Sequence, residues 1–310
     1  MGYLDPDYFL GGEMKIDAEL SRRAVGELGE KIGLDLLSTA QGIHDLANTH
    51  MGSAIRVVTL QRGIDPREFA ITAFGGAGPA HVVKVAELFE IPLAIIPPSP
   101  GVQSAYGLLV SDLVSDHVAS VFMPLKRADP VALRAIFDRL EKEGRNAMGQ
   151  YEEGVEIRVE RSIGVRFASQ SLDLAVPIEP GAITGETLVE AEADCRRRYL
   201  QTFGTESEDE CFTVNCRLRI VGVVPKSGTE KAPRGDGDAS RALKGRRNAW
   251  FGKAGFVETE VYDRTRLRHG DSIGGPAILE EPESTTICPP GYSIYVDEYL
   301  NVRITLNAPG

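Results

Sequence analysis

At 310 residues the chain has room for two domains of ordinary size, and its 42% hydrophobic and 25% charged residues exclude collagen, a disordered tail and a coiled-coil rod. The 34 Lys and Arg against 45 Asp and Glu leave a net charge of −11, which repels nucleic acid and anionic lipid unless basic residues are segregated. No window approaches the ~18 uncharged apolar residues of a membrane span, and Met1-Gly2-Tyr3-Leu4-Asp5-Pro6-Asp7 lacks both parts of a signal peptide, so a cytoplasmic location is expected.

Residues 16–62 carry the helical period. Ile16, Leu20, Ala24 and Leu28 recur every four positions behind the N-cap candidate Asp17. A second stripe runs Leu36, Ala40, Ile43, Ala47, Met51, Ile55 and Val58, with Gly63 as the expected stop. Gly42 and Gly52 interrupt it at a cost of about 1 kcal/mol each, which suggests close packing of another backbone. The period then changes. Phe69 to Phe74 is predicted as a short strand, Gly75-Gly76-Ala77-Gly78 as a turn, Pro79 as the opening of a helix, Leu93 to Ile96 as a second strand, and Val102 to Leu113 as helix. Strand, helix, strand, helix argues for an α/β sheet.

The character shifts near residue 122. An amphipathic helix is predicted from Pro130 to Tyr151, with Leu133, Ile136, Phe137 and Leu140 inward, and a further helix from Thr187 to Phe203. Alternating runs at Ile157 to Phe167, Leu172 to Ile178 and Val214 to Val224 read as strands. Residues 226–247, rich in Gly and in Lys and Arg, are expected to be an exposed, mobile loop within one C-terminal unit, followed from Phe251 by a small β unit. The four cysteines, Cys195, Cys211, Cys216 and Cys288, show no Cys-x-x-Cys zinc pairing and are expected as free thiols.

The strongest local signal is Ala73-Phe74-Gly75-Gly76-Ala77-Gly78-Pro79-Ala80-His81, set between a strand and a helix. Glycines there let the backbone approach a flat or anionic ligand, and the helix start offers unpaired N–H groups; the competing reading is a tight turn with close helix packing. The run is not the dinucleotide fingerprint, since His81 stands where the third glycine belongs, nor a Walker loop. His81 itself reads either as a donor to a ligand oxygen or as a packing or capping residue. His44 and His50 lie about 240° apart on one helix and cannot share a metal on one face. Asp112, Asp116 and His117 could meet at a helix end, where acids are usually solvated, and Gln170 reads as a strand hydrogen-bonder or a functional side chain.

The segment AFGGAGPAHVVKVAELFEIPLAIIPPSPGVQSAYGLLVSD resembles the end of the actin-like ATPase domain in the hydantoinase A and 5-oxoprolinase family, which includes ATP-dependent ketone carboxylase subunits. GYLDPDYFLGGEMKID and GIHDLANTHMGSAIRVVTLQRGIDPREF upstream are similar to the family's preceding segments. VRFASQSLDLAVPI and DRTRLRHGDSIGGPAILEEPESTTICPPGYSIYVD are similar to its β-rich C-terminal region. The resemblance implies that residues 1–122 are the latter half of an actin-like α/β ATPase domain and that residues 123–310 form a mixed, then β-rich, C-terminal domain. It implies adenosine contact for Gly75, Gly76, Ala77 and Gly78, and a parent enzyme that uses ATP to phosphorylate a hydantoin or 5-oxoproline amide, or else a ketone-derived enolate. The Asp-x-Gly-Gly-Thr turn that holds phosphates and Mg²⁺ in the family does not occur here, so the isolated chain is expected to be a C-terminal portion without turnover. A large hydantoinase B-type partner subunit is implied, and the alternative function is an assembly module that docks it.

Overall fold

A computed structural model describes residues 1–60, 63–149, 154–171, 173–179, 181, 183–226, 228 and 230–306. The chain divides into two compact units, one formed by Met1–Leu109 with Gly228–Gly310 and the other by Val110–Ser227. No helix among the described residues is long and apolar enough to cross a membrane.

In the first unit, helix α1 (Ala18–Ile32) starts where expected, with the Asp17 carboxylate accepting the N–H groups of Glu19 and Leu20 at 2.9 and 3.2 Å. Helix α2 (Leu36–Val58) is capped in the same way by Asp35 and ends before Gly63. The stripe on α1 does not become core, however: Leu20 and Leu28 are exposed and Gly29 is the one buried residue described on that helix. Of the two glycines in α2, Gly52 sits against Leu88 and Phe89, where a Cβ would stand 3.2 Å from each, whereas a Cβ on Gly42 meets nothing within 4 Å.

Strand β1 (Ala70–Thr72), helix α3 (Gly78–Leu88) and strand β2 (Leu93–Ile96) form the expected βαβ unit, with β1 and β2 parallel. Strand β1 is shorter than predicted because Phe69 and Phe74 lie outside the ladder and are exposed. Helix α4 (Gln103–Val110) also stops early, since Leu113 already opens the next strand.

The second unit is a four-stranded antiparallel sheet, in the order β3 (Leu113–Pro124), β6 (Cys211–Val223), β4 (Glu156–Phe167), β5 (Leu174–Ile178). Helices α5 (Pro130–Met148) and α6 (Gly185–Phe203) share one apolar core with it. Leu133, Phe137 and Leu140 of α5 are buried against Ile163, Leu218 and Ile220, as the sequence pattern requires. Tyr151 and Leu172, the expected ends of a helix and a strand, lie outside the described residues.

The rest of the chain returns to the first unit. Strands β7 (Leu243–Trp250), β8 (Phe256–Asp263), β10 (Ala277–Glu281) and β11 (Ser284–Cys288) make a sheet in the order β11-β10-β8-β7. Strands β9 (Ser272–Gly274), β12 (Tyr292–Val296) and β13 (Val302–Leu306) extend the βαβ sheet to β1-β2-β13-β12-β9. In register, β13 lies antiparallel to β2, with Val302 opposite Ile96. The two sheets share one core containing Ile96, Tyr262, Leu279, Ile294 and Ile304.

This packing departs from the division expected at residue 122. Three of the five strands that complete the α/β sheet come from the C-terminal end, because β2 would otherwise present an open edge. Accordingly Val214 to Val224 and Phe251 to Val261 belong to different units. The loop expected at 226–247 is corrected from residue 239 on, while the described residues of 226–238 form neither helix nor strand. A short 3₁₀ helix, Ala239–Ala242, buries both of its alanines, and β7 follows directly. The basic residues that suggested a solvated loop are held by acids: Arg241 by the fully buried Asp271, and Lys244 and Arg247 by the buried Glu280. Ser227 and Thr229 lie outside the described residues.

Candidate functional site

The glycine turn is built by two backbone requirements. Gly75 has φ +80° and donates its N–H to the Pro100 carbonyl at 2.6 Å, a left-handed conformation that favours glycine. At Gly76 a Cβ would lie 2.9 Å from the Glu283 carbonyl oxygen, and at Gly101 it would lie 2.4 Å from Glu283 Cβ. These two positions let the tip of the β10–β11 hairpin rest on the turn. Gly76 and Ala77 are exposed, Gly78 opens α3 with Pro79 in its first turn, no side chain caps that helix, and the Ala80 N–H is taken by the Ala77 carbonyl at 3.1 Å.

Beside the turn lies a cavity of about 440 Å³, lined by Tyr3, Leu10, His44, Gly76, His81 and Glu281 among others. Its N-terminal wall is tied down by β7. Trp250 N–H donates to Met1 O at 2.8 Å, Tyr3 Oη donates to Trp250 O at 2.8 Å, and Arg247 donates to Gly2 O and Tyr3 O. Arg247 and Lys244 also bind the two oxygens of Glu280, and the Lys244 ammonium sits 3.4 Å from the Tyr8 ring centroid.

His44 and His81 stack across this wall, with ring centroids 4.6 Å apart and planes 19° from parallel. Asn48, buried in α2, joins them: its Nδ2 lies 3.0 Å from His44 Nδ1 and its Oδ1 lies 2.9 Å from His81 Nδ1. Burial holds both imidazoles below the ordinary histidine range, and His44 adds repulsion at His81. Tyr3 stands edge-on to His44, and burial, then Asp45, pushes its hydroxyl up to about 12.

On the hairpin side Glu281 is 6% exposed, and burial pushes its carboxyl up to about 7, opposed by Arg264 and reinforced by Glu283. Arg264 is itself buried and donates to the Leu300 carbonyl. The cavity thus combines an apolar and aromatic wall, two imidazoles, an exposed glycine turn and acids, of which Glu280 is paired by Lys244 and Arg247 while Glu281 is opposed by Arg264. That environment suits a neutral ring better than a string of phosphates.

Of the sequence candidates, Gly76, Ala77 and His81 line the cavity, while Gly75 and Gly78 shape the turn from behind. Asp112, Asp116 and His117 do not converge at a helix end. Asp116 and His117 are neighbours on β3 and point to opposite faces. Asp116 pairs with Arg219 at 2.7 Å, His117 Nε2 lies 2.8 Å from Ser115 Oγ, and Asp112 accepts from Val224 N–H. Gln170 Nε2 lies 3.2 Å from Tyr199 Oη, a local contact within the second unit. The sequence reading missed Asn48, Tyr3 and Glu281. Asn48 carried a usable signal, a polar residue four positions after His44 on a helix and therefore on its face.

Residues 1–117 match the family described as hydantoinase/oxoprolinase, and residues 132–304 match the hydantoinase/oxoprolinase C-terminal domain. An uncharacterized protein of Methanocaldococcus jannaschii is 36% identical, over 95% of this chain and 42% of that protein. The caprolactamase α subunit of Pseudomonas jessenii is 25% identical, over 98% and 45%. The acetone carboxylase β subunit of Xanthobacter autotrophicus is 24% identical, over 96% and 43%. The chain therefore spans less than half the length of these relatives. Among solved structures, the fold is similar to the ATP-dependent caprolactamase from Pseudomonas jessenii, with a TM-score of 0.80 at 24% identity over 99% of this chain and 45% of that one. A nucleotide-free acetone carboxylase gives 0.77 at 23% identity, over 98% and 45%. With both parts of the pattern matched in order along one chain, the protein belongs to the hydantoinase/oxoprolinase family.

Proposed function

We propose that the chain is the C-terminal portion of an ATP-dependent enzyme that opens a cyclic amide of the hydantoin or 5-oxoproline type, built on the latter half of an actin-like domain. The observation that carries this reading is the cavity at the glycine turn, inside the family-matched region, with Gly76 and Ala77 exposed beside the uncapped start of α3. Gly75, Gly76, Ala77 and Gly78 would hold the adenosine of ATP, the neutral part of the nucleotide that the acidic surroundings accept. ATP supplies a phosphoryl group to the amide oxygen, removing the resonance that protects the ring C–N bond. Water then adds at the activated carbon, the ring nitrogen leaves as the amine, and a second water frees phosphate from the acyl phosphate. Mg²⁺ and the phosphates would be held by the N-terminal region of a full-length enzyme, not by the residues of this chain. The exposed Leu20, Leu28, Ile43 and Leu46 on α1 and α2 give such a region an apolar face to cover.

His81 would contact substrate or nucleotide at the cavity rim. A hydantoinase B-type subunit in a hetero-oligomer is the proposed partner, and the four buried free cysteines favour a reducing cytoplasm. Likeness to the acetone carboxylase β subunit supports ketone carboxylation as the second reading, with the same ATP frame and a different acceptor. The test is ADP release by the full-length protein, with its partner subunit, offered hydantoin, 5-oxoproline, caprolactam or acetone in turn. Release with a cyclic amide alone supports the reading, release with acetone alone replaces it, and release with none overturns both. Adenosine should also bind the 310-residue chain by calorimetry, and Gly76→Val should abolish that binding.

A further inference from the structure

We propose that Asn48 is a positioning residue that fixes His81 as its Nδ1–H tautomer, so that a bare Nε2 faces the cavity and accepts from an N–H or O–H of the bound molecule. An Asn side chain has one donating and one accepting end, so it bonds two ring nitrogens only if one is bare and the other carries hydrogen. With Nδ2 toward His44 and Oδ1 toward His81, His44 Nδ1 is the bare nitrogen and His81 Nδ1 carries the hydrogen. In neutral rings the remaining hydrogen of His44 must then be on Nε2, and the Nε2 of His81 must be bare.

The opposite orientation is disfavoured by a second contact. His44 Nε2 is buried without a hydrogen-bond partner among the described residues, the Ala80 backbone carbonyl favours a proton on that ring, and Asp45 Oδ1 stands 3.8 Å from Nδ1, outside hydrogen-bond reach, where Asn48 Nδ2 sits at 3.0 Å. An N–H at Nε2 is attracted to that carbonyl, whereas a lone pair would be repelled by it in a dry site. The Ala80 carbonyl thus orients His44, His44 orients Asn48, and Asn48 orients His81. The stack keeps the pair from both being charged, since two imidazolium rings at 4.6 Å repel in a half-buried setting. Asp45 and Lys84 flank His44, Tyr3 stands edge-on to it, and Glu281 and Glu283 face the cavity from the hairpin.

The inference deepens the proposed function only in naming what His81 would accept from, and its tests need neither ATP nor turnover. A failed ADP-release assay therefore leaves it standing, and its own failure leaves that assay untouched. Ring-nitrogen NMR on the 310-residue chain at neutral pH is tractable because the chain has five histidines, with His81→Asn and His44→Phe assigning the two signals. The wild type should show His81 protonated at Nδ1 and bare at Nε2, and His44 the reverse. Asn48→Asp, which keeps the size but offers two acceptors, should place hydrogen on Nδ1 of both rings and raise both titration midpoints. Diethyl pyrocarbonate, which transfers its ethoxycarbonyl group to a bare ring nitrogen, should label His81 before His44. His81 bare at Nδ1 in the wild type, an unchanged His44 tautomer in Asn48→Asp, or labelling of His44 ahead of His81 would each overturn the proposal.

Discussion

Glu281 gives the site a pH response whose sign follows from its burial. Its folded carboxyl sits at about 7 against 4.5 for the free side chain, so between those values the folded state holds a proton that the unfolded state has released. Stability from this group is complete below pH 4.5 and is lost as pH rises through about 7. Glu281→Gln should therefore cost little at pH 5 and gain on the wild type at pH 8, by on the order of 3 kcal/mol if the whole shift is recovered. Urea unfolding at the two pH values measures the difference, and a gap that does not widen with pH would show that Glu281 is not the responsible group. The glycines supply a second contrast. Gly76→Ala pushes a Cβ to 2.9 Å from the Glu283 carbonyl and should destabilise by about 1–3 kcal/mol. Gly42→Ala meets open space on α2 and should stabilise by about 0.5–1 kcal/mol. The same urea experiment ranks the two variants, and equal effects would remove the hairpin contact as the reason for Gly76.

Among the elements, the stretch around β7 shows how charge pattern misleads when its partners are distant. Arg241, Lys244, Arg246 and Arg247 read as a solvated basic run, yet Arg241 grips both carboxylate oxygens of Asp271 at 2.7 Å, 30 positions away. Removing that guanidinium in Arg241→Ala leaves a fully buried carboxylate with one backbone N–H, from Arg268. The expected loss is about 3–5 kcal/mol, read by thermal unfolding, whereas Arg246→Ala, whose ion pairs are exposed, should change stability by less than about 1 kcal/mol. Comparable losses in both variants would contradict the buried pair. Elements set by local chemistry were legible in advance: Asp17 caps α1, Pro79 lies in the first turn of α3, and Leu133, Phe137 and Leu140 face the core from α5. The stripe of α1 was legible as periodicity but not as burial, because period reports which face is apolar and not whether anything covers it.

For the whole molecule, the decisive feature is that the second unit interrupts the chain of the first. Strand β2 finds β13 more than 200 positions later, and the pair carries Ile96, Val302 and Ile304 into one core. Deleting residues 292–306 should therefore strip protection from α3, β1 and β2 in hydrogen exchange, while β4 and β6 in the second unit keep theirs. Protection lost equally in both units would contradict the division. What the sequence determined by itself was local or compositional: caps, turns, the 2- and 3.6-residue periods, the glycine turn before α3 and the family pattern along the chain. These rest on residues within a few positions of each other, where backbone geometry and hydrogen bonding act directly. Tertiary structure alone decided the two-part first unit, the ion-paired β7 segment, and the meeting of His81 with Asn48 across 33 positions and of Glu281 with the same cavity. Those contacts depend on which distant surfaces close over one another, and no periodicity in a single chain records the partner that a buried polar group will find.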